Sequence, residues 1–343
     1  MALLWGDGVS ITGLGPHGEK AAPADKVALT NDEASAARAG RFAVAVVLHT
    51  VTSDWSRQEL AGIVATLDAH SATVVEVIDC GYSKQTQNRE LLRLASDRVD
   101  AVISIPVGVS GLSDSHRAIS KSGKTLILLD NAPTGLLPGA DYASVVSTDN
   151  FSLGEIAASL LSPHIPDEGV AGILTYGADF FAANEREIAF RKWVGMNRPD
   201  VTLVRGRFAA VEEAGAAFER LLDENDDLDG LFVAWDVPAL LVLDAMRARA
   251  RKLPITTVDL GNAIAAELAR GQLVKGVAAQ RPYDQGTAAA LTALLNLVGR
   301  QPPPWIATPG LAVTRNNVIQ AYRLVWHAPA PPELLEAHKK GLE

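Results

Sequence analysis

Apolar and polar positions along this chain follow two periods in turn. Residues 42–48 (FAVAVVL) form an unbroken apolar run, as expected of a strand covered on both faces. Leu60, Ile63, Val64 and Leu67 then recur at i, i+3, i+4 and i+7, one face of a helix. Strands are predicted next at 74–78, 101–105 and 126–129, separated by helices at 85–96 and 114–122. The rhythm resumes after Asp149, with strands at 171–175, 201–204, 230–233, 255–258 and 276–279. Helices fit 152–161, 185–196, 211–223, 238–249, 264–270 and 282–297, the last followed through Leu291, Leu294, Leu295 and Val298 as another helical stripe. Strands alternating with helices imply parallel sheets covered on both sides. The chain is therefore α/β, with two doubly wound parallel-sheet units in series.

The flanks read differently. Residues 1–40 lack sustained periodicity and are predicted to be an extended arm with a short helix at 32–38; the ordered fold is expected to start at Arg41. Residues 301–304 (QPPP) end the last long helix, because proline cannot continue it. Residues 313–324 read as strand, and the closing HAPAPPELLEAHKKGLE as a proline-rich link to a short amphipathic helix or as a loosely packed terminus. No short internal repeat of the solenoid kind is present.

Apolar runs of strand length end repeatedly at an aspartate: TLILLD at Asp130, SVVSTD at Asp149, LFVAWD at Asp236 and ITTVD at Asp259. In open parallel sheets ligands bind beyond the carboxyl ends of the strands. Carboxylates gathered there accept hydrogen bonds from a hydroxyl-rich or cationic small molecule. Aromatics are only 6% of the chain, yet Trp55, Phe180 with Phe181, and Trp235 all fall just past predicted strand ends. An indole or phenyl can support the C–H face of a sugar ring while carboxylates and amides take its hydroxyls; such rings also fill cores. Arg186 falls at a predicted helix start, where the dipole favours anions. It either reaches into a cleft as a fork of donors or forms a surface ion pair with Glu185 or Glu187. His49 closes the first strand, where it can line a cleft or serve structurally.

Composition narrows the function further. A chain of 343 residues, 48% apolar, is long for one core and suggests two domains. A formal net charge of -9 argues against nucleic acid or an anionic membrane as the main partner. Cys80 is the single cysteine, which rules out an intramolecular disulfide and a multi-cysteine metal site; its place after VVEVID favours a small buried residue. No apolar stretch reaches the ~20 residues that span a bilayer. The start MALLWGDGVS lacks the marks of an export signal, so the protein is expected either to be cytoplasmic or to be the mature form of an exported chain. Walker-type, G-x-G-x-x-G, G-x-S-x-G and H-E-x-x-H motifs are all missing, and the seven histidines are scattered. Neither a nucleophile–base pair nor an activating lysine stands out, so an aldolase or isomerase is disfavoured. The chain is expected to be a binder, not an enzyme, with no cofactor and no metal.

Seven segments carry a resemblance: FAVAVVLHTVTSDW, ILLDNAP, VVSTDNFSLGEIAA, NEREIAFRKW, LDGLFVAWDVPALLVLDAMR, ITTVDLGN and GVAAQRPYDQG. In order and spacing the chain resembles the type I periplasmic sugar-binding proteins, the ribose- and galactose-binding receptors of ABC transporters, over residues 41–323. It is also similar to the effector domains of lactose-repressor-type regulators, but residues 1–40 lack the basic two-helix pattern of a DNA reader. The resemblance implies two lobes joined by a three-strand hinge, with ligand held between them. The lobes are expected at 41–148 with 281–310 and at 149–280 with 311–323, leaving 324–343 as a tail.

Carried over by position, Asp130 and Asn131 match the family's hydroxyl-binding Asp-Arg pair, with asparagine in place of arginine. Arg186 matches its ligand-binding arginine, Asp259 the aspartate after its V-G-F-D strand, and Gln280 the glutamine at its last crossover. Trp235, followed by Asp236, falls where an asparagine is common. Ser53 and Trp55, flanking Asp54, take first-loop positions that hold Asn and Phe in ribose binders, and Ile105 replaces another asparagine. These departures point away from ribose and toward another monosaccharide, a sugar alcohol or an amino sugar. The expected ligand residues are thus Ser53, Asp54, Trp55, Asp130, Asn131, Asp149, Phe180, Arg186, Trp235, Asp236, Asp259 and Gln280. The expected partner is an ABC permease, and the expected form an extracytoplasmic monomer that binds no nucleic acid and does not insert into membranes. The alternative is the sugar-sensing effector domain of a regulator or signalling system.

Overall fold

The computed structural model describes residues 11–341, so the first ten residues of the expected arm lie outside the described residues. The chain divides into two compact units. One runs to Asp149 and adds residues 179–181 and 282–309; the other holds residues 150–178, 182–281 and everything from Gly310 onward.

The first unit begins with β1 (Ala22–Pro23), α1 (Asn31–Gly40), β2 (Ala43–Leu48), α2 (Asp54–Ala69), β3 (Thr73–Asp79), α3 (Lys84–Ser96), β4 (Ala101–Ser104), α4 (Ser113–Lys121), β5 (Thr125–Leu129) and β6 (Ser144–Thr148). The second follows with α5 (Asn150–Leu161), β7 (Val170–Tyr176), α6 (Phe181–Asn197), β8 (Thr202–Phe208), α7 (Ala214–Glu224), β9 (Leu228–Val233), α8 (Asp236–Ala248), β10 (Ile255–Val258), α9 (Asn262–Arg270) and β11 (Val274–Ala279). The chain then returns to the first unit for α10 (Pro282–Leu297) and β12 (Trp305–Thr308), and ends in the second with β13 (Leu311–Val313), α11 (Val318–Trp326) and α12 (Pro332–Lys340).

The first unit's sheet has the order β1-β12-β6-β5-β4-β2-β3 and every neighbouring pair is parallel. Apolar cores cover both faces, one including Ile63, Leu67 and Leu294, the other including Leu91, Leu94 and Ile119. That double cover is why β2 is apolar at every position, whereas β3, at the sheet edge, alternates. The second sheet has the order β13-β11-β10-β9-β7-β8, parallel except for β13 on β11. Strand order reverses between β2 and β4 in one unit and between β7 and β9 in the other. These switch points are where open α/β sheets leave a crevice at the strand ends.

The flanks are more ordered than their sequence implied. Within the arm, β1 extends the sheet beside β12, and α1 is fixed by a full capping box between Thr30 and Glu33, with Ala37 fully buried. Residues 318–326, expected as strand, are helical: Val318, Ala321, Tyr322 and Val325 are buried at i, i+3, i+4 and i+7. The expected tail is part of the second core, with Leu334 and Ala337 of α12 buried against it. In α2 the buried face is rotated from the expected stripe. Val64 is exposed, while Trp55, Ser56, Glu59, Gly62, Ile63 and Leu67 are buried.

Candidate functional site

In the first unit the candidate residues gather after β2 and β5. Ser53 is the N-cap of α2: its Oγ accepts from the Ser56 backbone N–H at 3.1 Å, so this hydroxyl holds the helix start. Asp54 pairs with Arg57 at 2.5 Å on the exposed side of the first turn. Trp55 is 9% exposed and packs into the core, its ring 5.8 Å from that of His49, which in turn meets Tyr82 edge-on at 5.1 Å. Trp55 Nε1 and His49 Nδ1 have no hydrogen-bond partner. His49 is half-buried as a residue, but its ring is enclosed. Burial lowers its pKa to about 4, with Asp79 acting the other way.

Asp130 follows β5 with a left-handed φ of 53°, a conformation that costs a non-glycine residue energy and recurs at functional sites. Its Oδ1 accepts from Gln285 Nε2 at 3.0 Å, and Thr148 Oγ1 donates to Gln285 Oε1 at 3.2 Å. Asn131 is buried; its Nδ2 donates to the Pro106 carbonyl at 3.3 Å and its Oδ1 is left without a partner. Ile105, where the family resemblance placed an apolar substitution, is buried, and its carbonyl accepts from Gln87 Nε2.

Two expectations change here. Asp149, at the end of β6, was expected to face a ligand. Its carboxylate instead accepts the backbone N–H groups of Thr12 at 2.6 Å and Gly13 at 3.1 Å, and so anchors the N-terminal segment. Phe180 belongs with the first unit despite its place in the chain, and packs against the core that contains Trp55.

In the second unit Arg186 lies in the second turn of α6 and not at a helix start, because the helix begins at Phe181. It is 5% exposed, which removes the surface ion-pair alternative. Its Nε donates to Asn150 Oδ1 at 2.9 Å and its Nη1 to the Ala234 carbonyl at 3.2 Å. Glu187 turns the other way, to Thr175 and Arg205. Trp235 precedes α8 and stands edge-on to Tyr176 at 5.7 Å and to Phe208 at 5.4 Å. Asp236 is buried at the first position of α8, where the helix dipole favours its charge. Asp259 repeats the Asp130 arrangement: φ is 71°, it is buried, and Gln280 Nε2 donates to its Oδ1 at 2.7 Å. Burial raises the Asp259 pKa, opposed by the Arg186 charge and the Gln280 hydrogen bond. Gln280 Oε1 has no partner.

Each unit thus presents, past a strand end, a left-handed aspartate held by a glutamine amide. The arrangement can accept and donate hydrogen bonds to hydroxyls. The resemblance pointed to the aspartates and to Gln280, but not to Gln285, Asn150 or Glu59. Asn150 had a local signal, being next to Asp149. Gln285 and Glu59 are polar positions on buried helix faces, visible only once the true face of each helix is known. Among the described residues no group of three or more His, Cys, Asp or Glu side chains could hold a metal ion, and no helix is long and apolar enough to cross a membrane.

The chain is built of two α/β units, each with acidic and aromatic side chains past its strand ends. Residues 44–301 match the periplasmic binding protein domain family, and the chain belongs to it. A comparison with curated proteins gives no match. Among solved structures, the chain is similar to an ABC transporter solute-binding protein from Mycobacterium smegmatis with bound glycerol, at 21% identity over 81% of this chain and 95% of that one, TM-score 0.74. It is similar to a carbohydrate transporter solute-binding protein from Agrobacterium radiobacter in complex with D-arabinose, at 20% identity over 83% and 98% of the two chains, TM-score 0.75. A Bacillus halodurans solute-binding protein with bound myo-inositol shares 17% identity over 83% and 98%, TM-score 0.74. At these identities the likeness shows a common fold.

Proposed function

We propose that this chain is the receptor of an ABC importer. It captures a monosaccharide, sugar alcohol or amino sugar and delivers it to a permease outside the cytoplasm. The observation that carries this reading is a set of buried polar atoms without partners: Trp55 Nε1 and Asn131 Oδ1 in the first unit, Gln280 Oε1 in the second. Buried polar groups are otherwise almost always paired, and an unpaired one costs about 1–3 kcal/mol. Hydroxyls of a bound ligand would satisfy all three.

In this reading Trp55, Phe180, Asp130 and Asn131 supply the first unit's wall. Arg186, Trp235, Asp236, Asp259 and Gln280 supply the other. Ser53, Asp54 and Asp149 shape the first wall through capping, pairing and anchoring. A bound ligand stabilises the folded chain by mass action, and no bond is made or broken. The receptor acts as a monomer.

The test is thermal denaturation of the purified chain against D-arabinose, D-tagatose, D-fucose, myo-inositol, allitol and glycerol, with D-glucosamine added for the amino-sugar class. A true ligand at 100 times its Kd adds about 2.7 kcal/mol of stability and raises the midpoint accordingly. A chain that is unmoved by every sugar and polyol, or that turns one over, removes the proposal.

A further inference from the structure

Glu59 is a buried carboxyl of the first unit that the reading above leaves unused. It lies on α2, one turn beyond Trp55, and is fully buried. Both of its carboxyl oxygens lack a hydrogen-bond partner. Its place is fixed by an unusually close helix crossing. A Cβ added at Gly286 would lie 2.1 Å from the Glu59 carbonyl oxygen, and one at Gly62 would lie 2.1 Å from that of Tyr283. Only glycine lets α2 and α10 approach this far. The crossing brings the Glu59 backbone against Gly286, the neighbour of Gln285, and Gln285 is the residue that grips Asp130.

We propose that Glu59 is a positioning residue for Asp130: its carboxyl keeps its proton and serves as a second hydrogen-bond donor to the Asp130 carboxylate, beside Gln285. The inference rests on Asp130 being a ligand contact, as proposed above. An ionised Glu59 would bring four acceptor sites and no donor into a fully buried helix interface, which is strongly unfavourable. The un-ionised acid carries one O–H that needs an acceptor. Titratable groups on the elements around α2 include Asp79 on β3, Asp130 after β5, and Tyr283 and Asp284 on α10. Of these, Asp130 is the one whose charge reaches Glu59. Burial and that charge both push the Glu59 pKa well above the ordinary carboxyl range. A second donor beside Gln285 holds the Asp130 carboxylate in its left-handed position, from which it meets the ligand.

The experiment uses the full chain and two readouts. The first is independent of ligand: infrared spectra at neutral pH of wild type, Glu59→Gln and Asp130→Asn. Wild type is expected to show the carbonyl stretch of an un-ionised carboxyl, Glu59→Gln to lack it, and Asp130→Asn to shift it. A wild-type spectrum identical to that of Glu59→Gln in this region overturns the proposal.

The second readout is calorimetry with D-arabinose and myo-inositol as probes. Glu59→Gln, which keeps a donor, is expected to hold affinity within about threefold, and Glu59→Leu to lose about tenfold, the worth of roughly one good hydrogen bond. Wild-type affinity in Glu59→Leu overturns the proposal, as does equal loss in both variants. If neither probe binds wild type, the receptor reading is what suffers, and the infrared band still decides on Glu59.

Discussion

Removing the Arg186 guanidinium should expose the electrostatic balance of the second unit. In Arg186→Met the chain loses two hydrogen bonds, to Asn150 Oδ1 and to the Ala234 carbonyl, from a site only 5% exposed. It also loses the positive charge that opposes the burial penalty on Asp259. Breaking one member of a buried charge pair typically costs about 3–5 kcal/mol, because the other charge stays behind. Asp259→Asn removes that remaining charge while leaving Gln280 an oxygen to donate to. The double variant should therefore be less unstable than the sum of the singles, by about 1–3 kcal/mol.

Solution pH provides a second axis. With Arg186 gone the folded-state pKa of Asp259 rises further above its unfolded value. Folding then takes up a proton, and stability falls as pH rises through the folded pKa. The Arg186→Met penalty should accordingly be smaller near about pH 5 than near about pH 8. Urea unfolding of wild type, both singles and the double at both pH values measures these quantities. Additivity within about 0.5 kcal/mol together with a pH-independent penalty would refute the coupling of Arg186 to Asp259.

Two further outcomes concern the scaffold. Gly286→Ala should destabilise the first unit by at least about 1–3 kcal/mol, since the new methyl meets backbone that cannot yield. Gly195→Ala, on the exposed side of α6 with nothing within 4 Å, should gain about 0.5–1 kcal/mol; equal melting shifts for the two would contradict the close-crossing argument. His116 is fully buried between the Leu112 carbonyl at 2.8 Å and Ser104 Oγ at 3.1 Å, and burial lowers its pKa to about 4. A histidine depressed on folding binds its proton first in the unfolded chain. The stability it protects is complete above the unfolded value near 6.5 and is lost as pH falls to about 4, roughly 3 kcal/mol in all. His116→Gln should flatten the stability profile across that window, and an unchanged slope would rule the assignment out.

How much of this was legible in the sequence depends on how far apart the cooperating residues lie. Most strands of both sheets announced themselves through their own few residues, because a strand buried on two faces must be apolar throughout and a helix must show its stripe; β1 and β12, both short, did not. The aspartates after β5 and β10 were visible for the same reason: a polar residue that ends an apolar run marks a strand tip. Local pattern misled where a helix was short and apolar, as at residues 318–326, and on the buried face of α2, where Val64 is exposed. It misled on Asp149 because the groups that occupy its carboxylate are backbone amides 137 and 136 residues away, and no side-chain type advertises them.

The Asp130 environment is the sharpest case. Gln285 reaches it across 155 positions of sequence, and α2, which carries Glu59, meets α10 so closely only because Gly62 and Gly286 let the two helices touch backbone to backbone. Periodicity and strand-end chemistry, fixed by neighbours a few residues apart, determined the α/β units and the ligand-type side chains at their rims. Which of those side chains remain available, and which proton-bearing groups support them, was decided by packing between distant segments. Contact energies of that kind depend on shape and distance in three dimensions, and these enter the chain only when it folds.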